Sequence, residues 1–188
     1  MTVQEQVLEI KRMLRLEMNG EASRSMRESG IGYGLNFGVG LPGLKGIAEH
    51  FGKDSALASA LWKENVRECR MLAVLIYPQE QFLPDLADIW VSQIEYPDLA
   101  EVSSMYLFSR MKDASGTAFR WIASGSDMVQ YCGFLTMAHL LRQGREMETR
   151  YAMELRDQAA AAAGGGSVLP AQAAVTVLGI MDGLDGQG

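Results

Sequence analysis

Residues 41–77 read LPGLKGIAEHFGKDSALASALWKENVRECRMLAVLIY, and the spacing of this stretch decides the fold class. Pro42 suits the first turn of a helix, where its missing N–H has no intrahelical partner, and Gly52 suits the left-handed conformation that ends one. Asp54 is placed to cap the next helix, with Leu57, Ala60 and Leu61 on one face. A third helix is predicted from near Asn65. Val66, Cys69, Leu72, Ala73 and Ile76 are spaced for burial, with Arg67, Glu68 and Arg70 interleaved. No segment of the stretch alternates apolar and polar residues as a strand would.

The arrangement recurs along the chain. Trp62, Trp90 and Trp121 stand 28 and 31 residues apart, and each is followed by an apolar helical segment. That interval is close to the period of stacked helix pairs, so each tryptophan is read as closing the first helix of a pair. Before this block, residues 3–18 form a first helix with Val7, Ile10, Met13, Leu14 and Met18 on one side, and 21–28 a second, more polar one. The run from Gly30 to Gly40 alternates glycine with apolar residues. It joins helices and lacks the G-x-x-x-x-G-K-[ST] spacing of a phosphate cradle, so it is read as an irregular loop packing Tyr33, Leu35, Phe37 and Val39.

Beyond Pro78, helices are predicted over 79–92, with Phe82, Leu83, Leu86, Ile89 and Trp90 buried, and over 99–111. Residues 113–117 form a turn, and further helices cover 118–124, 128–142 and 146–163. Residues 1–163 thus make one helical-repeat domain. Residues 164–167, Gly-Gly-Gly-Ser, read as a flexible joint. A last helix from Pro170 within the tail 168–188 either folds back to cap the array or crosses to a second copy as a homodimer.

Composition narrows the function classes. A chain of 188 residues with 48% hydrophobic content supports a packed core and argues against disorder. Cys69 and Cys132 lie on apolar helical stretches without a C-x-x-C pair, and only His50 and His139 accompany them. They are read as buried free thiols in a reducing compartment, with no metal site and no cofactor. No signal-type segment or membrane span is recognised, so a cytoplasmic location is expected. Net charge is −6, and no Lys or Arg occurs from Met71 to Ser109, where Glu80, Asp85, Asp88, Glu95, Asp98 and Glu101 stand. This is the opposite of the basic stripe typical of nucleic-acid binders.

One acidic constellation stands out. In Glu95-Tyr-Pro-Asp98-Leu-Ala-Glu101, carboxylates and an aromatic meet at a predicted helix start. Asp98 and Glu101 have capping-box spacing, and a carboxylate in a cleft also serves as a general base or stabilises a cationic transition state.

Three segments, LPGLKGIAEHFGKDSALASALWKENVRECRMLAVLIYP, IEYPDLAEVSSMYL and RWIASGSDMVQYCGFLTMAHLL, in this order and spacing, resemble the DNA alkylation repair family, the HEAT-like DNA glycosylases. The shared features are an L-W that ends a helix before an R-E-x-R pattern, a W-D-x-x-D-like helix start and a W-I-A-S helix end. The resemblance implies an all-α HEAT-like helical-repeat solenoid, an α-α superhelix, whose concave face holds double-stranded DNA. It also implies excision of cationic alkylated bases without flipping them into a pocket. The family's catalytic acid falls on Glu101 and the first acid of the motif on Asp98. Pro97 replaces the aromatic expected before that first acid, with Tyr96 adjacent, and Tyr131 stands where an arginine is expected after W-I-A-S.

Two functions stay open at this point. In the first the chain is a DNA glycosylase in which Glu101 is the electrostatic catalyst and Asp98 positions its helix. Arg67, Arg70, Arg110, Lys112, Arg120, Tyr96 and Tyr131 then contact DNA. In the second it is a catalytically degenerate scaffold that binds a basic peptide or protein in an acidic groove.

Overall fold

The first helix opens on a capping box. The Thr2 hydroxyl accepts from the Glu5 N–H at 3.2 Å while the Glu5 carboxylate accepts from the Thr2 N–H at 2.7 Å. The computed structural model describes residues 1–186, so the last two residues of the expected tail, 187–188, lie outside the described residues. Among the described residues there are eleven α-helices and two short 3-10 turns. The β pairing found there is an isolated parallel bridge between Leu35 and Val66. The chain is all-α, and it divides into two units, Met1–Gln81 and a second that starts at Phe82.

The first unit holds α1 (Val3–Leu16), α2 (Gly20–Glu28), α3 (Leu41–Phe51), α4 (Ser55–Trp62) and α5 (Arg67–Ile76). Asp54 caps α4 as expected, its carboxylate accepting from Ala56 and Leu57 N–H at 2.8 and 2.9 Å. Helix α5 is the hub, with α1, α3 and α4 packed on it. Ile10, Leu14, Leu44, Ile47, Leu57, Leu61, Leu72 and Ile76 are fully enclosed there. Each such side chain contributes about 1.5–3 kcal/mol by leaving water.

Arg67 and Glu68 are not part of a solvated face. Glu68 is 0% exposed, and its carboxylate accepts from the backbone N–H groups of Phe37, Gly38 and Val39 at 3.0, 2.9 and 3.3 Å. Arg67, 7% exposed, donates to Glu68 at 3.1 Å and to the Val39 carbonyl at 3.2 Å. The glycine-rich run is therefore an anion nest of successive N–H groups, filled by the protein's own carboxylate rather than by a phosphate. Gly38 makes the nest possible. Its φ is +71°, and a Cβ there would collide with the Asn19 carbonyl and lie 2.7 Å from Ser23 N. The same loop is joined to residues 65–67 by Leu35 N–H to Asn65 O at 3.2 Å and Arg67 N–H to Leu35 O at 3.1 Å. Phe37 and Val39 are buried as expected, whereas Leu35 stays 45% exposed.

The second unit holds α6 (Pro84–Ser92), α7 (Pro97–Tyr106), α8 (Ala114–Ile122), α9 (Asp127–Arg142), α10 (Thr149–Ala163) and α11 (Val168–Asp185). Here α9 is the hub, and α6, α7, α8 and α11 all pack on it. Trp62, Trp90 and Trp121 do stand at or near the ends of α4, α6 and α8, and all three are buried. Phe82 lies edge-on to Trp90 at 5.0 Å and is stacked on Phe108 at 6.0 Å. Phe108 in turn meets Trp121 edge-on at 4.9 Å. Such pairs contribute about 0.5–1.5 kcal/mol each beyond their burial.

Several expected boundaries move, each for a local reason. Residues 79–92 split into a 3-10 turn, Gln79–Gln81, and α6, because Pro84 takes the first helical position and carries no N–H to continue an earlier turn. That start rotates Leu83 and Ile89 outward, each 54% exposed, and turns Ala87 and Val91 inward beside Trp90. The predicted 99–111 helix ends at Tyr106, and a 3-10 turn, Phe108–Arg110, follows. The predicted turn at 113–117 is instead the first half of α8, led by Asp113 in the left-handed region at φ +54°.

Pro170 lies in the first turn of α11 rather than opening it. Ala173, Ala174, Val177 and Met181 of this helix are buried, and it packs on α9 and α10 of the same chain. Helix α11 is long and apolar enough by length and composition to cross a membrane, with a mean hydropathy of 1.2. Its exposed side nevertheless carries Asp182 and Asp185, both bound by Arg156 of α10, at 2.6 and 2.7 Å.

Candidate nucleic-acid site around Glu101

The start of α7 is built by Pro97, whose fixed φ is ready for the first helical position. Tyr96 is consequently the N-cap, without a side-chain capping bond, and Asp98 sits one residue inside the helix. The expected Asp98–Glu101 capping box therefore does not form. Instead the Asp98 carboxylate accepts from the Leu99 N–H at 2.8 Å, in the first turn where the helix dipole favours negative charge. Asp98 and Tyr96 are half-buried, and Glu101 is exposed.

One turn beyond Asp98, Glu101 meets α9. The Tyr131 hydroxyl donates to the Glu101 carboxylate at 3.1 Å. Tyr131 is 6% exposed. Burial first, and then the negative charge and hydrogen bond of Glu101, push its phenol well above the usual range, so it stays protonated and remains a donor. A neighbouring bond, Ser104 hydroxyl to Cys132 carbonyl at 3.5 Å, holds the two helices in the same register. The outcome is an exposed carboxylate fixed from behind by a buried phenol. It presents one anchored negative charge to solvent.

The remaining expected contacts separate into distinct environments. In the first unit, Arg67 is enclosed by its bonds to Glu68 and Val39, and an enclosed guanidinium presents little to a phosphate. Arg70 lies over the Trp62 ring at 5.6 Å and donates to the Glu64 carbonyl at 3.3 Å. In the second unit Arg120 pairs with Asp88 at 3.1 Å, and the Trp121 indole N–H donates to the same carboxylate at 2.7 Å. Asp88 thereby loses part of its availability as an acidic-groove residue. Arg110 and Lys112 are exposed.

Sequence reasoning missed Glu68, because its partners are backbone N–H groups about thirty residues away. It also missed His139 and Arg142, which join Arg110 in one neighbourhood. Partial burial, followed by the charges of Arg142 and Arg110, lowers the His139 pKa.

Among the described residues, no group of three or more His, Cys, Asp or Glu is arranged to hold a metal ion. Cys69 and Cys132 are both free and buried. Burial pushes the Cys69 thiol up to about 12 and that of Cys132 higher still, so neither is a ready nucleophile.

No curated protein matches the sequence. The fold is similar to that of a solved structure from a new family of proteins related to the HEAT-like repeat DNA glycosylases, with affinity for branched DNA structures. The TM-score is 0.82 at 18% identity, over 91% of this chain and 73% of that one. At that identity the likeness establishes the fold, which is the HEAT-like helical-repeat fold. Residues 10–162, which span Glu101 and Tyr131, match the DNA alkylation repair enzyme family. The chain is a member of the DNA alkylation repair enzyme family.

Proposed function

We propose that this protein binds DNA and promotes loss of cationic alkylated bases from it, with Glu101 as the electrostatic catalyst. The observation that carries the reading is the exposed Glu101 carboxylate held at 3.1 Å by Tyr131. An alkylated purine leaves with the electron pair of its N-glycosidic bond and becomes neutral, while positive charge moves onto the sugar. A fixed carboxylate beside that sugar stabilises the developing charge, and one preorganised group of this kind is typically worth about 100-fold or more in rate. Water then adds to C1′ and loses a proton, which yields an abasic site and the free base. Asp98 adds negative charge one turn away.

A second reading is DNA binding without excision. It is favoured by the burial of all three tryptophans, at 3–4% exposure, which leaves little of any indole to pack against the deoxyribose of the target nucleotide. The affinity of the structural relative for branched DNA makes junctions the natural ligand to compare with duplex. Incubation with methylated duplex separates the readings. Release of methylated purine by wild type, and its loss by about 100-fold in Glu101→Gln, supports the first. Tight binding to a four-way junction with no base released supports the second. Failure to bind any DNA at low salt removes both and returns attention to a basic protein partner.

A further inference from the structure

The far end of α9 carries a charge arrangement that Glu101 does not account for. The turn Phe108–Arg110 packs against α9, and Gln143, the residue that ends α9, donates to the Ser109 hydroxyl at 3.3 Å. This bond sets Arg110, the next residue, beside the last turn of α9, where His139 and Arg142 stand. Arg110 donates its Nε to the Met105 carbonyl at 3.3 Å, which ties down the inner nitrogen of the guanidinium. Among the described residues, no ion pair involves Arg110, Lys112 or Arg142. By contrast, Arg120 and Arg156 in the same unit are committed to Asp88 and to Asp182 and Asp185.

The C-terminal dipole of α9 offsets part of this accumulation, but a helix end supplies only about half an elementary charge. Two guanidiniums exceed it. An incoming anion would complete the balance.

Position along the helix says what kind of anion. Arg142 follows Tyr131 by eleven residues, about three turns, so both side chains leave α9 on nearly the same side, about 16 Å apart along its axis. The segment from α7 into Phe108–Arg110 runs beside α9 in the same direction. Glu101 meets Tyr131, Ser104 meets Cys132, and Ser109 meets Gln143. One strip of the second unit therefore has a fixed carboxylate at one end and two arginines beside a histidine at the other. A carboxylate meant to act beside a sugar also repels the flanking phosphates, so the strand must be gripped elsewhere.

We infer that Arg110, His139 and Arg142 form a phosphodiester seat that grips one DNA strand about 16 Å from Glu101, roughly five base steps along a duplex. The seat rests on the DNA-binding reading above and adds to it the place where the backbone is held.

The test uses the full chain and fluorescence anisotropy with a labelled duplex and a labelled four-way junction across a salt series. Arg110→Gln/Arg142→Gln is expected to bind at least about 10-fold more weakly at low salt, with a log–log salt slope shallower by about two. Arg110→Lys/Arg142→Lys should keep the wild-type slope, and thermal unfolding should coincide for all three. Wild-type affinity and slope in the glutamine variant would overturn the seat and leave DNA binding intact. Absence of any wild-type DNA binding would overturn both. Loss of affinity in the lysine variant equal to that in the glutamine variant, with a lowered melting temperature, would assign these residues to folding and overturn the seat as well.

Discussion

Glu68 in the first unit and Glu101 in the second are both helical glutamates, each close to an aromatic or an arginine in sequence, yet their surroundings are opposite. Glu68 has no exposed surface and receives four donors, three backbone N–H groups and the Arg67 guanidinium. Glu101 faces solvent and accepts from the Tyr131 hydroxyl on one side. A carboxylate whose acceptor positions are filled from within is a structural part. One that is anchored on one side only keeps the rest of its capacity for something from outside. The contrast extends to the cations, since Arg67 is enclosed with its partner while Arg110 and Arg142 stand exposed at the surface.

Four measurements press on this contrast, from the strongest expected effect to the weakest. Glu68→Ala leaves three N–H groups and a buried guanidinium without their acceptor. Urea unfolding should show a loss of about 3–5 kcal/mol, as for other broken buried pairs. A loss below about 1 kcal/mol would mean that the nest is a by-product of the loop rather than what holds it. Tyr131→Phe removes one partly buried hydrogen bond and should cost about 0.5–1.5 kcal/mol by the same assay.

The third concerns pH. The folded-state pKa of His139 lies below its ordinary value, mainly through burial and then through Arg142 and Arg110. The unfolded chain therefore binds more protons in this range, so stability is fully present above about pH 6.5 and declines as pH falls below it. Urea midpoints of wild type between pH 7.5 and 5.5 should fall more steeply than those of His139→Gln. Parallel curves would show that His139 titrates alike in the folded and the unfolded chain. Smallest of all should be the stability effect of Glu101→Gln, within about 0.5 kcal/mol, since the side chain is exposed and the amide still accepts from Tyr131. A large loss there would place Glu101 with Glu68 as a structural carboxylate.

The helical class was legible in the sequence because periodicity and caps are local. Pro42, Gly52 and Asp54 act within a few residues of themselves, and the structure places each where the spacing predicts. The candidate acid was legible through the ordered W-I-A-S and acidic segments. Its anchor was visible only as a substitution, since Tyr131 reads as a missing arginine until the two helices are brought together. Arg67 and Glu68 misled for a related reason. Helical spacing treats a charged residue between apolar ones as solvated, and it cannot count N–H groups arriving from another segment.

Sequence alone thus determined that this chain would coil into short amphipathic helices marked by tryptophan, because each turn is satisfied by its own neighbours. Tertiary structure decided which charges are enclosed, which are anchored and which are left at the surface. Desolvation and hydrogen bonding depend on what lies opposite a side chain, and nothing in the spacing of residues along one helix records that.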